Sequence, residues 1–131
     1  MHLSPVPPPL LAITGFPKNM SFFQGLVLTF NCLIELHPSV DSPVIVQGNW
    51  ERNGTQLQDN SDGRITVTNA VMRTPPYQIV VRFDPMDFED AGTYNCLATV
   101  IPQDPAYVTG PRTPTSNQRT VSVQGMFILL S

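Results

Sequence analysis

Six apolar side chains, Leu26, Leu28, Phe30, Cys32, Ile34 and Leu36, recur at every second position along one stretch of the chain. A period of two puts all six on one face of an extended strand, whereas a helical period would scatter them around the axis. Val27, Thr29, Asn31, Leu33 and Glu35 fall on the other face. The segment therefore reads as a strand with one buried side, and Cys32 points into the core.

The same test finds further strands. Val44 to Arg52 carries Val44, Val46, Gly48 and Trp50 on one face. Arg64 to Thr68 has Ile65 and Val67, and Tyr77 to Phe83 has Tyr77, Ile79, Val81 and Phe83. Thr93 to Val100 has Tyr94, Cys96, Ala98 and Val100, and Arg119 to Gln124 has Val121 and Val123. Leu10 to Phe16 is a candidate first strand. Turn residues divide these runs at Asn53-Gly54, Asp62-Gly63, Pro75-Pro76, Ala91-Gly92 and across 102–117. No window has a convincing 3.6-residue apolar period, and the 14 prolines stand against long helices because each removes a backbone donor. A single turn near Pro85 to Asp90 is the one helical candidate. Short strands separated by turns predict an all-β sandwich or barrel.

Cys32 and Cys96 are the two cysteines of the chain. A pair can make one bridge and cannot by itself make a structural zinc site. Count alone leaves a disulfide and two separate buried thiols equally open. Sheets packed face to face stand ~10 Å apart, so a bridge between them must come from inward positions on facing strands.

The order of landmarks narrows the fold. Cys32 is followed by Trp50 on the next strand, then by Arg64 after Asp62-Gly63, then by Asp90-Ala91-Gly92-Thr93-Tyr94-Asn95-Cys96. This set resembles the immunoglobulin superfamily over roughly residues 10–125. Its Asp-x-Gly-x-Tyr-x-Cys motif is matched at all four positions. The resemblance implies a two-sheet antiparallel sandwich with Greek-key topology, closest to the variable or intermediate set. It also implies a Cys32–Cys96 disulfide with Trp50 packed on it, a tyrosine corner at Tyr94, and an ion pair between Arg64 and Asp90 closing one end. The Phe-Gly-x-Gly element of antigen-receptor variable domains is missing, so a rearranged receptor is not expected. The wide gap between Cys32 and Trp50, around His37 to Pro43, and the long stretch at 102–117 imply two enlarged loops at one end.

Residues 1–9 read as a proline-rich linker or lead-in, 10–125 as the domain, and 126–131 as an apolar tail of a longer chain. Met1 to Leu11 lacks the pattern of a secretory signal, and no stretch reaches the ~20 apolar residues of a membrane span.

Little points to chemistry. His2 and His37 are the two histidines, and both cysteines are committed to the implied bridge, so no nucleophile–base set is available and no enzyme is expected. Asp84, Asp87, Glu89 and Asp90 crowd one turn, but their spacing fits no calcium loop, and neither a metal nor any other cofactor is expected. Seven scattered Lys and Arg against a net charge of −3 make nucleic acid and anionic membranes poor partners. Two glycosylation sequons are present, Asn19-Met20-Ser21 in the loop before the first cysteine strand and Asn53-Gly54-Thr55 on an exposed turn. Ile45, Gln47, Asn49, Leu97 and Thr99 face outward on the strands of one sheet. The loop end offers His37, Val40, Pro105, Tyr107 and Arg112, with Tyr107 the best anchor because tyrosine gives contact area at low entropy cost.

The function expected from the resemblance is extracellular protein–protein recognition, in an adhesion or receptor protein at the cell surface. The partner would be a protein ligand or a second copy, with neighbouring immunoglobulin-like domains in the parent chain. A multi-domain invertebrate surface protein fits the same features. The alternatives are a structural spacer, a cytoplasmic scaffold domain with reduced cysteines, or an accessory ligand-binding domain of a receptor kinase.

Overall fold

The computed structural model describes residues 4–5, 9–14, 19–38, 40, 43–59, 62–103, 107–108 and 115–125. These form a two-sheet sandwich. The front sheet contains β3 (Asn19–Phe23), β12 (Thr115–Gln124), β10 (Gly92–Pro102), β5 (Val44–Arg52) and β6 (Thr55–Gln56) in that order, and β8 (Ala70–Met72) also pairs with β5. The back sheet runs β2 (Leu10–Thr14), β4 (Leu28–Glu35), β9 (Tyr77–Phe83), β7 (Ile65–Val67). Its pairs are antiparallel, as expected. In the front sheet β3 runs parallel to β12, which makes that sheet mixed. A two-residue parallel pair joins β1 (Ser4–Pro5) to β11 (Tyr107–Val108), so part of the proline-rich lead-in is held in a ladder.

Alternation decides the core. In β4, Phe30, Cys32 and Ile34 are buried; in β5, Val44, Val46, Gly48 and Trp50; in β9, Tyr77, Ile79, Val81 and Phe83; in β10, Tyr94, Cys96 and Ala98. Cys32 and Cys96 bond across the two sheets, with their Cα atoms 6.4 Å apart. Trp50 is directly opposite Cys96 in the β5–β10 ladder, and both side chains are fully buried. Leu26 is a correction to the sequence reading. It lies before β4 and is 39 % exposed, because the chain turns there and the Leu26 carbonyl accepts from the Met86 N–H at 2.7 Å. Asn19 is a second correction. It opens β3 instead of sitting in a loop, since its backbone pairs with Thr120 of β12.

At the lower end Phe30 packs between Phe83, with ring centroids 5.1 Å apart, and the edge-on ring of Tyr94 at 5.6 Å. Edge-to-face contact suits the opposed charge of ring edge and ring face. Below it lies the single helical turn expected near Pro85 to Asp90, a 3₁₀ turn over Phe88–Asp90 capped by the Asp87 side chain.

The open side of β5 is closed in two pieces. β8 pairs with Val46 to Gly48 and β6 with Glu51 and Arg52. Between them Asn69 acts as a clip: the Trp50 N–H donates to its Oδ1 at 2.7 Å, and its Nδ2 donates to the Leu57 carbonyl at 3.0 Å. The Leu57 N–H in turn donates to the Trp50 carbonyl at 2.9 Å.

Candidate functional site

The lower end is built for rigidity. Arg64, just before β7, holds Asp90 with both arms, Nη1 to Oδ2 at 2.5 Å and Nη2 to Oδ1 at 3.0 Å. It also donates to Glu89 Oε1 at 2.6 Å and to the Pro85 carbonyl at 2.9 Å. Asp90 is completely buried; its Oδ2 also accepts from the Asp87 N–H, and its carbonyl accepts from the Tyr94 hydroxyl. The hydrogen bond to Asp90 raises the Arg64 pKa above its ordinary value, with burial opposing and the surrounding carboxylates assisting. Burial, with partial opposition from Arg52, pushes the Tyr94 phenol up to about 12. Every carboxylate of this turn is engaged: Asp84 pairs with Arg82 at 3.3 Å, and Asp87 accepts from the Phe88 N–H and from Gln24 Nε2. The cluster is a structural network, and no grouping of metal-ligating side chains occurs among the described residues.

The outer face of the front sheet is different. Ile45, Gln47, Asn49, Leu97 and Thr99 all project outward and are half-buried, because each is flanked by its cross-strand neighbours. The ladder sets Leu97 opposite Asn49 and Thr99 opposite Gln47. Glu51 and Gln56 pair on the next strand over. Gln47, Asn49, Glu51, Gln56, Leu97 and Thr99 line one depression of about 270 Å³. Glu51 is its single charged side chain. Val71 on β8 stands beside it, opposite Gln47 and 61 % exposed. The site thus offers one apolar side chain, Leu97 on the β10 side, among amides and a hydroxyl, each amide able to donate and accept. Gln56 and Val71 escape the sequence reading because they lie on strands too short to show alternation.

The loop end is assembled in part. His37 is exposed on the connection after β4, where the Val40 N–H donates to its carbonyl at 2.9 Å, and the Gln103 N–H donates to the Pro43 carbonyl at 3.1 Å. The second of these bonds joins the two enlarged connections. Tyr107 is held through its backbone opposite Ser4. Pro105 and Arg112 lie outside the described residues. On the back sheet at this end, Leu33, Leu36, Pro75, Pro76 and Tyr77 line a mainly apolar crease of about 350 Å³.

The two sequons differ. Asn19 is exposed on β3. Asn53 sits at φ 52° in the turn after β5, and its Oδ1 accepts from the Thr93 N–H at 3.0 Å.

A disulfide-bridged β-sandwich with a tyrosine corner, a buried Arg–Asp closure and a nearly uncharged sheet face defines a class of protein-binding modules. The family model of the immunoglobulin domain matches residues 18–106, well over half of the sequence, and the chain belongs to that family. Among curated proteins, the interleukin-1-binding protein of vaccinia virus (strain Ankara) is 30% identical over 99 residues, covering 66% of this chain and 29% of the viral protein. Its counterpart in cowpox virus (strain Brighton Red) matches to the same extent. The chain therefore spans less than a third of the length of these relatives. Among solved structures, the complex of Dpr2 Ig1-Ig2 with DIP-Theta Ig1-Ig3 superposes with a TM-score of 0.60 at 17% identity, covering 92% of this chain and 51% of the other. Extracellular domains 3–5 of Drosophila OTK give a TM-score of 0.53 at 21% identity, covering 92% and 38%. Both likenesses show the fold.

Proposed function

We propose that this domain is an extracellular protein-recognition module, residues 10–125 of a multi-domain surface protein, and that it binds its partner through the outer face of the front sheet. The observation that carries the reading is the depression across β10, β5 and β6, with Leu97 on its β10 side. It combines half-buried apolar surface with unpaired amide capacity and a single charge. A site of that kind gains from excluding water at its centre while the rim sets register by hydrogen bonds. The face carries too little charge for long-range steering, so affinity would come from contact. His37, exposed at the loop end, is a further candidate contact, and Tyr107 and Arg112 are candidates on their sequence alone. The viral relatives are named for binding interleukin-1, which supports a protein partner for this chain.

The test is a multivalent, disulfide-intact preparation of residues 1–131 screened against a panel of secreted ectodomains that includes the domain itself. Leu97→Arg should weaken any specific binding at least ~10-fold, the loss expected when a charge is forced into a desolvated interface centre. Leu33→Arg, on the back sheet, should leave it unchanged. The reverse pattern would move the site to the crease at Pro75-Pro76 and overturn the assignment.

A further inference from the structure

The two sequons occupy one row across the front sheet. Asn19 pairs with Thr120, Thr120 pairs with Thr93, and the Asn53 N–H donates to the Thr93 carbonyl at 2.8 Å. They read alike in the sequence and are unlike in space. We propose that Asn19 is an N-glycan acceptor, that Asn53 is not, and that the first sugar on Asn19 rests in the adjoining groove of β12. The proposal rests on the extracellular reading given above, since transfer of the glycan needs the secretory compartment.

Asn53 is held from two sides. Its side-chain oxygen takes the Thr93 N–H, and its carboxamide lies against the bare backbone of Gly92. A Cβ at Gly92 would come within 2.9 Å of Asn53 Oδ1 and 3.0 Å of Nδ2, so the amide fills the space that the glycine leaves. A sugar on Nδ2 would displace the amide from that seat and break the bond to Thr93. Asn53 at positive φ is then a turn residue, the role for which asparagine is well suited.

Asn19 has none of these ties. It is exposed, no side-chain hydrogen bond joins it to the other described residues, and in the parallel register it shares the outer face with Thr120. Beside it lies a groove of about 350 Å³, lined by Asn19 itself with Ser116, Asn117, Gln118, Arg119 and Thr120. Every lining side chain is polar. Hydroxyl, amide and guanidinium groups match the hydroxyls and acetamide of an N-acetylhexosamine in both donor and acceptor sense. A glycan seated there lies along β12, where Ser116 is directly opposite Leu97, so it borders the depression on its β12 side.

The test is secretion of the full chain from eukaryotic cells behind a signal peptide, with intact mass measured before and after enzymatic deglycosylation. Ser21→Ala removes the first sequon, and Thr55→Ala removes the second while keeping Asn53 in its seat. Wild type and Thr55→Ala should each carry one glycan, and Ser21→Ala none. The glycosylated wild type should also melt a few degrees above Ser21→Ala, by the linkage expected when a bound group contacts only the folded state. A glycan that persists in Ser21→Ala, or a secreted wild type without one, overturns the assignment of Asn19; equal melting temperatures overturn the seating in the groove. None of these results bears on the Leu97 mapping, so the two readings fail separately.

Discussion

Arg64 grips Asp90 through two parallel hydrogen bonds, and the carboxylate it neutralises has no exposed surface at all. Removing one member of a buried pair leaves the other charged and unpaired, which costs more than the pair itself contributes. Arg64→Ala should therefore lower unfolding free energy by about 3 kcal/mol, read as a shift of the urea midpoint. A loss below ~1 kcal/mol would mean that solvent already screens the pair as it does at a surface.

Tyr94 ties stability to alkaline pH. In the fold its phenol is pushed up to about 12 by burial, against 10.0 as the ordinary value. The unfolded chain thus releases the proton first as pH rises. The contribution is fully present below pH ~10 and drains away between ~10 and ~12, to a total of about 2–3 kcal/mol. Denaturation midpoints measured from pH 8 to pH 11.5 should fall through that window. Tyr94→Phe should begin less stable at pH 8, by about 1 kcal/mol for the lost hydrogen bond to the Asp90 carbonyl, and show a shallower fall.

Gly48 sits on the inner face of β5 against Ile34 and Ile79 of the opposite sheet. A Cβ there would meet Ile79 Cγ2 at 2.9 Å and Ile34 Cδ1 at 3.3 Å. Gly48→Ala should destabilise by about 1–3 kcal/mol, the usual cost of overpacking. Pairing it with Ile79→Ala, which removes Cγ2, should give a double variant more stable than the sum of the two singles predicts, and a double variant no better than that sum would refute the contact.

Most of the sandwich was legible because one buried face forces a period of two. β4, β5, β9 and β10 each bury alternate residues, and the strand expected over Tyr77 to Phe83 has the observed bounds. β3 was missed because only Phe22 of its five residues is buried, so it lacks a pattern. β8 and β6 were missed because their register depends on β5, a long-range partner that no local run announces. Leu26 misled because an apolar residue at a turn extends the alternation without joining the strand. The outward set on β5 and β10 was correctly placed by the same period. The depression they line depends on Gln56 arriving from β6, and strand adjacency of that kind has no signal in a single sequence.

The clip at Asn69 protects the chain against unwanted strand addition. With β8 and β6 covering the two ends of β5 and Asn69 satisfying the Trp50 amide between them, that flank exposes no long run of unmet donors and acceptors. Such a run is the template on which foreign chains add strand by strand into fibrils. One side chain at a bend thus helps to keep this flank from serving as such a template.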